Sequence, residues 1–194
     1  MISQGLPPLL CPAPRLLILG SLPGQASIKA QGYYQHPRNA FWPILMAWLS
    51  PDDQAINTGP AENSQIKNGP EPGIQDQARS RLQKHEILQK HGIALWDVLA
   101  EAYRPGSLDS SIHKQGKKFN QLQPLLTQDS LRGLIFNGQA AWKHWQQGCK
   151  QGLFAPRPEL RLITLPSTSP AHASLTLTQK QQQWHQALDS LLSK

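Results

Sequence analysis

The run Leu16-Leu17-Ile18-Leu19 consists only of branched apolar residues and stops abruptly at Gly20-Ser21. An unbroken apolar run this short suits a parallel strand covered on both faces, and in open α/β sheets the ligand crevice lies just beyond the carboxyl ends of such strands. Comparable runs recur at Ile93 to Val98, Leu131 to Phe136 and Leu160 to Leu165. Helical stretches separate them. Phe41, Trp42, Leu45, Met46 and Leu49 form one apolar stripe, and Arg79 to His91 another, contributing Leu82, Ile87 and Leu88 and ending at Gly92 as C-cap. A third follows Gln139 and buries Ala141, Trp142 and Trp145. The last opens with Thr178 and Gln181 at capping-box spacing and packs through Trp184, Leu188 and Leu191. Four strand runs alternating with helices predict an α/β chain, a three-layer α/β/α sandwich around a central four-stranded parallel sheet. At 194 residues the chain reads as a single domain over 1–194. The proline-rich stretch Met1 to Pro14 reads as an extended lead-in, Tyr103 to Ser111 as a loop, and 52–77, polar and without apolar period, as a long mobile insertion.

Polar residues gather after the strand runs. In Gly20-Ser21-Leu22-Pro23-Gly24 the glycines permit close backbone approach, and the amides of Ser21 and its neighbours can point at an electronegative group; an ordinary strand-to-helix turn is the competing reading. Tyr33 and Tyr34 offer flat faces for a nucleobase or simply belong to the core. His36 and Arg38 suit a phosphate or a base edge. Asn39 either caps the helix after it or stays on the loop with a free side chain; Pro43 has no amide hydrogen for the Asn39 carbonyl, which delays the helix and favours the loop. Asn137, between a strand end and a helix start, has a carboxamide able to read a base edge or to make a local turn bond. Pro166-Ser167-Thr168-Ser169-Pro170-Ala171-His172 combines hydroxyls and turn amides suited to phosphate contacts with residues able to enter a duplex. Asp97, near the end of the second run, reads as structural.

Nineteen Lys and Arg against twelve Asp and Glu give a net charge of +7 and a pI near 9.7, which favours an anionic partner such as nucleic acid. Cys11 and Cys149 lie far apart in no metal-like spacing, which argues against a disulfide scaffold and a four-cysteine cluster. No apolar run approaches membrane-spanning length, and the start lacks a basic region followed by an apolar stretch. A cytoplasmic monomer without metal or other cofactor is the expectation.

Gly20-Ser21-Leu22-Pro23-Gly24, Tyr33-Tyr34-Gln35-His36-Pro37-Arg38-Asn39-Ala40-Phe41-Trp42 and Leu165-Pro166-Ser167-Thr168-Ser169-Pro170-Ala171 together resemble the hypoxanthine-DNA glycosylase branch of the uracil-DNA glycosylase superfamily. Shorter matches at Gly92 to Val98, Gly106 to Ser110 and Ile135 to Gly138 fall in the order of that branch, so the resemblance spans nearly the whole chain. It implies a monofunctional enzyme that hydrolyses the N-glycosidic bond of a flipped, deaminated base in DNA, with hypoxanthine the first candidate. Asn39 would orient water at the sugar. Gly20, Ser21, Pro23, Gly24, Tyr33, Tyr34, His36 and Asn137 would form the base pocket, and Arg38, Ser167, Thr168, Ser169, Pro170, Ala171 and His172 would meet DNA. His172 stands where the branch commonly has asparagine. A uracil or mismatch glycosylase and a non-catalytic nucleic-acid-binding relative are the alternatives; a small-molecule Rossmann-like protein fits less well, since neither Gly-x-Gly-x-x-Gly nor a Walker lysine motif occurs.

Overall fold

The computed structural model of the chain describes residues 2–49, 74–113 and 115–193. In chain order its elements are β1 (Ile2–Gln4), β2 (Leu16–Gly20), α1 (Gln25–Ala30), α2 (Phe41–Trp48), α3 (Ile74–Lys90), β3 (Ile93–Asp97) and β4 (Leu99–Tyr103). A 3-10 turn (Asp109–Ser111), β5 (Lys118–Phe119), α4 (Gln123–Leu126), β6 (Gly133–Asn137), α5 (Gln139–Lys150), β7 (Arg161–Leu165) and α6 (Leu177–Leu192) follow.

The main sheet has the order β3-β2-β6-β7, and every pairing in it is parallel. Its strands are the four apolar runs of the sequence. Side chains alternate across the sheet, so Leu16 and Ile18 join a core with Phe41, Trp42, Ile44, Leu45, Leu88, Trp184 and Leu188 on one face. Leu17 and Leu19 join the opposite core with Leu125, Leu126, Ala141, Trp145 and Phe154. Two apolar layers on a sheet buried from both sides give the α/β/α sandwich that the strand and helix alternation predicts. Among the described residues no helix is long and apolar enough to cross a membrane.

Four sequence readings need correction. The lead-in is not merely extended: Ile2–Gln4 pairs antiparallel with Glu101 to Tyr103, and Leu9 bridges to Leu95. The first pairing belongs to a second sheet, β1-β4-β5, that the sequence does not announce, because Leu99-Ala-Glu-Ala-Tyr103 is poor in strand-favouring residues and becomes a strand through its partners. Tyr103 therefore closes a strand, and Asp109–Ser111 is a helical turn within the supposed loop. Helix α3 begins at Ile74, so the last residues of the 52–77 stretch are helical; Gln-Asp-Gln-Ala has good helix formers but no apolar period to betray it. The remainder of that stretch, 52–73, lies outside the described residues. Finally, the capping box of α6 is Thr176 with Gln179, two residues earlier than expected. The sequence offers both frames, and Lys180 lies in the first turns of the helix, where its ammonium donates to the His172 carbonyl at 2.7 Å.

Candidate active site

Strand β2 ends at Gly20, and the turn after it is fixed from behind through its carbonyls. Val98 N and Leu99 N donate to the carbonyls of Gly20 and Ser21 at 2.9 and 3.0 Å, and the buried Arg104 guanidinium donates to those of Leu22 and Pro23. With the carbonyls committed on that side, the amides of Ser21, Leu22 and Gly24 have no protein acceptor among the described residues. The same residues form one wall of a crevice of about 240 Å³ at the carboxyl ends of the parallel strands. Ser21 is buried, and its hydroxyl donates to Asp109 Oδ1 at 2.6 Å, drawing the 3-10 turn over the crevice; Ser107 Oγ accepts from Gln25 N at 3.1 Å beside it.

The opposite wall is the turn after β7. Asn137, at the end of β6, holds it through both ends of its carboxamide: Oδ1 accepts from Thr168 N and Nδ2 donates to Thr168 Oγ1, each at 2.9 Å. Gly138 follows at φ +96, and a Cβ there would press within 2.8 Å of the Ser167 side chain, so the approach of the two turns requires glycine. Ala40 N in turn donates to the Thr168 carbonyl at 3.0 Å. Two loops more than a hundred residues apart in sequence thus meet at one rim.

Asn39 sits at that rim. Its Oδ1 accepts from Phe41 N at 3.0 Å, which sets the carboxamide plane, while helix α2 takes Ala40 as its N-cap residue. Both readings of Asn39 are therefore partly met: a local turn bond is present, the regular helix starts after it, and the side chain still lines the crevice. Asn39 and the Thr168-Ser169-Pro170 turn also border a shallower groove of about 430 Å³ outside the crevice. Arg38 and His172 lie in this groove and not in the crevice; His36, Ser167 and Ala171 line the crevice. The His36 ring accepts from Arg38 N at 3.2 Å through Nδ1, and His172 Nε2 pairs with Ser174 Oγ at 3.2 Å.

One base-binding expectation is corrected by the packing. Tyr33 borders the crevice but is a core residue at 4 % exposure, its hydroxyl donating to the Leu6 carbonyl at 3.2 Å and its own carbonyl accepting from Trp42 Nε1. No free ring face is left for stacking. Asn137 lines the crevice while each end of its carboxamide makes one bond to Thr168, so it clasps the rim together and keeps one N–H and one lone pair beyond those bonds. Tyr34 is placed otherwise: its backbone is left-handed at φ +57, its ring stacks on Phe41 at 4.1 Å, and its hydroxyl is buried beside the crevice without a hydrogen-bond partner.

Asp97, read from the sequence as structural rather than pocket-lining, does border the crevice. It ends β3 next to Gly20 in register, is 3 % exposed, and its Oδ2 has no hydrogen-bond partner. Burial foremost, then the Asp109 carboxylate, push the Asp97 carboxyl up to about 8 against the pull of Arg104. Desolvation also raises Asp109, opposed by the Ser21 hydroxyl and by Arg104. The one signal in the sequence was position, a carboxylate at the end of a buried strand.

The geometry has counterparts among known proteins. The family model of the uracil DNA glycosylase superfamily matches residues 7–191. A hypoxanthine DNA glycosylase of Methanosarcina barkeri is 32% identical over 145 residues, 74% of this chain and 76% of the relative. One of the same name from Methanosarcina acetivorans is 34% identical with the same coverage. The solution NMR structure of a candidate uracil DNA glycosylase from Methanosarcina acetivorans superposes with a TM-score of 0.66 at 26% identity, covering 98% of this chain and 99% of that one. A parallel four-stranded sandwich, a crevice between its Gly20 and Ser167 turns and a family match along almost the whole length lead to one conclusion: the chain belongs to the uracil DNA glycosylase superfamily.

Proposed function

We propose that the protein is a monofunctional DNA glycosylase of base excision repair that releases hypoxanthine from DNA, acting as a monomer in the cytoplasm. The observation that carries the site assignment is the meeting of Asn39 with the Ser167 turn at the mouth of a nucleobase-sized crevice. The two relatives named as hypoxanthine DNA glycosylases support the choice of base.

A base inside a duplex cannot reach this crevice, so the nucleotide is extruded first, and a deaminated base with weakened pairing costs less to flip. The outer groove, with Arg38, His172 and the hydroxyls of Ser167 and Ser169 along its edge, receives the backbone around the flipped nucleotide, whereas Thr168, expected to meet DNA, is buried with its hydroxyl held by Asn137. Pro170 and Ala171 stand at the rim, where the vacated stack would be. The sugar then lies at Asn39. Its carbonyl oxygen has a second lone pair beyond the one engaged by Phe41 N, enough to accept from a water and hold it facing C1′. An amide is a very poor base, so Asn39 contributes position, and the transition state gains most of its stability from charge spread over the sugar and the departing base. The C1′–N bond breaks with its electron pair on the base, the water oxygen bonds to C1′, and the proton that water sheds ends on the departing base. Amides of Ser21, Leu22 and Gly24 are the donors available to the base as negative charge develops on it.

The test is a panel of matched duplexes, each containing one hypoxanthine, uracil, xanthine or ethenoadenine, incubated with the protein and cleaved with alkali at abasic sites. Hypoxanthine is expected to be released fastest. Uracil released faster would replace hypoxanthine as the substrate, and strand binding with no abasic product from any duplex would reduce the protein to a binding module.

A further inference from the structure

Two buried polar atoms of the crevice have no hydrogen-bond partner, Asp97 Oδ2 and Tyr34 Oη. Their side chains meet at the same strand end. A Cβ built on Gly20 would collide with Asp97 Oδ1 and stand 3.1 Å from Tyr34 Oη, so the two side chains crowd over a single α-carbon at the strand end. Neither is accounted for by the fold: Asp97 has its backbone carbonyl bonded by Asn120 while its Oδ2 stays unpartnered, and Tyr34 holds its ring against Phe41 from a left-handed backbone. Burying a carboxyl and a phenol without partners is costly, and a ligand edge supplying acceptors removes that cost.

Resting on the base-excision reading above, we propose that the Asp97 carboxyl and the Tyr34 hydroxyl form the floor on which the extruded base lands, and that Asp97 donates a hydrogen bond to an acceptor atom of the base as charge gathers there. Donation needs the neutral acid. Burial and the neighbouring Asp109 keep Asp97 protonated up to about pH 8. The groups facing it are Arg104 from beyond β4, Asp109 from the 3-10 turn, and Tyr33 and Tyr34 from the loop before α2. Burial foremost, then Asp97, push both tyrosines up, with the Asn137 carboxamide opposing the rise at Tyr34, so they remain neutral hydroxyls. Arg104 is the one cation in this set, and its guanidinium is committed to the carbonyls of Leu22 and Pro23. A carbonyl oxygen or unprotonated ring nitrogen is the complement of such a floor.

Single-turnover base release from a hypoxanthine duplex tests this with Asp97→Ala, Asp97→Asn and Tyr34→Phe, alongside duplex affinity and thermal melting. Removing one donor aimed at developing charge costs on the order of 100-fold, so Asp97→Ala should lose about that much in rate while duplex affinity changes little. Asp97→Asn keeps a donor that does not titrate. Its rate should return to within about tenfold of wild type, and the wild-type advantage should shrink as pH rises past about 8, whereas ionisation of the substrate itself affects both proteins alike. Tyr34→Phe should lose on the order of tenfold. Wild-type release by Asp97→Ala, or an alkaline profile of Asp97→Asn parallel to wild type, overturns the proposal. If Asp97→Ala fails to fold, the Asp97→Asn profile decides. Absence of release by the wild-type protein from the hypoxanthine duplex and from the uracil, xanthine and ethenoadenine duplexes alike sinks the glycosylase reading instead, so the two failures are distinct.

Discussion

Asn39 combines two jobs that sequence alone set against each other, since the turn bond that marks a helix start also fixes the carboxamide that faces the crevice. It was legible because the loop reading followed from a backbone rule, the missing amide of Pro43. Asp97 was not, because a carboxylate at a strand end is equally a turn-former, and only its unpartnered oxygen in three dimensions separates the two roles. Burial of that carboxyl has a consequence for stability. Its ordinary value of 3.8 rises to about 8 in the fold, so the folded chain keeps a proton that the unfolded chain releases. Stability therefore falls as pH climbs from about 4 to about 8, by up to about 1.4 kcal/mol per pH unit from this group, and is level above that window. Asp97→Asn removes this slope. Thermal melts of both proteins should show the variant gaining on wild type between pH 5 and pH 8; a constant difference would mean that Asp97 is ionised in the fold.

At the scale of elements, the parallel strands and the helices α2, α5 and α6 were readable because each carries an apolar run or stripe of its own. The β1-β4-β5 sheet was not, since its pairing depends on partners about a hundred residues away and Ala100 and Ala102 carry little strand preference. The clasp that Asn137 makes was hidden for a similar reason: its partner, Thr168, is 31 residues on, and no local pattern joins them. Replacing Asn137 by Ala leaves the buried Thr168 amide and hydroxyl without that partner, at a cost of about 1–3 kcal/mol in unfolding free energy. Denaturant unfolding should register the loss, and base release should slow because the rim that holds Asn39 through Ala40 and Thr168 loosens. Thr176→Ala should cost about 1 kcal/mol by the same measurement, since it removes the capping box of α6.

Over the whole molecule, the excess of seven positive charges is consistent with a polyanionic substrate but does not say where the strand runs. On the proposed reading the outer groove is its path, past Arg38 and His172 and over the shared rim into the crevice. Duplex affinity should fall steeply with salt, and Arg38→Ala should reduce the slope of log affinity against log salt by about one. An unchanged slope would take Arg38 off the phosphate backbone. Shape thus supplies what charge cannot, a single point at which strand, sugar and base would meet, and that point is Asn39. Single-turnover release from a hypoxanthine duplex by Asn39→Ala, with duplex affinity measured in parallel, is the most direct test. The expected result is release reduced by at least about 100-fold with affinity nearly intact; release at the wild-type rate would contradict the placement of Asn39 at the reacting sugar.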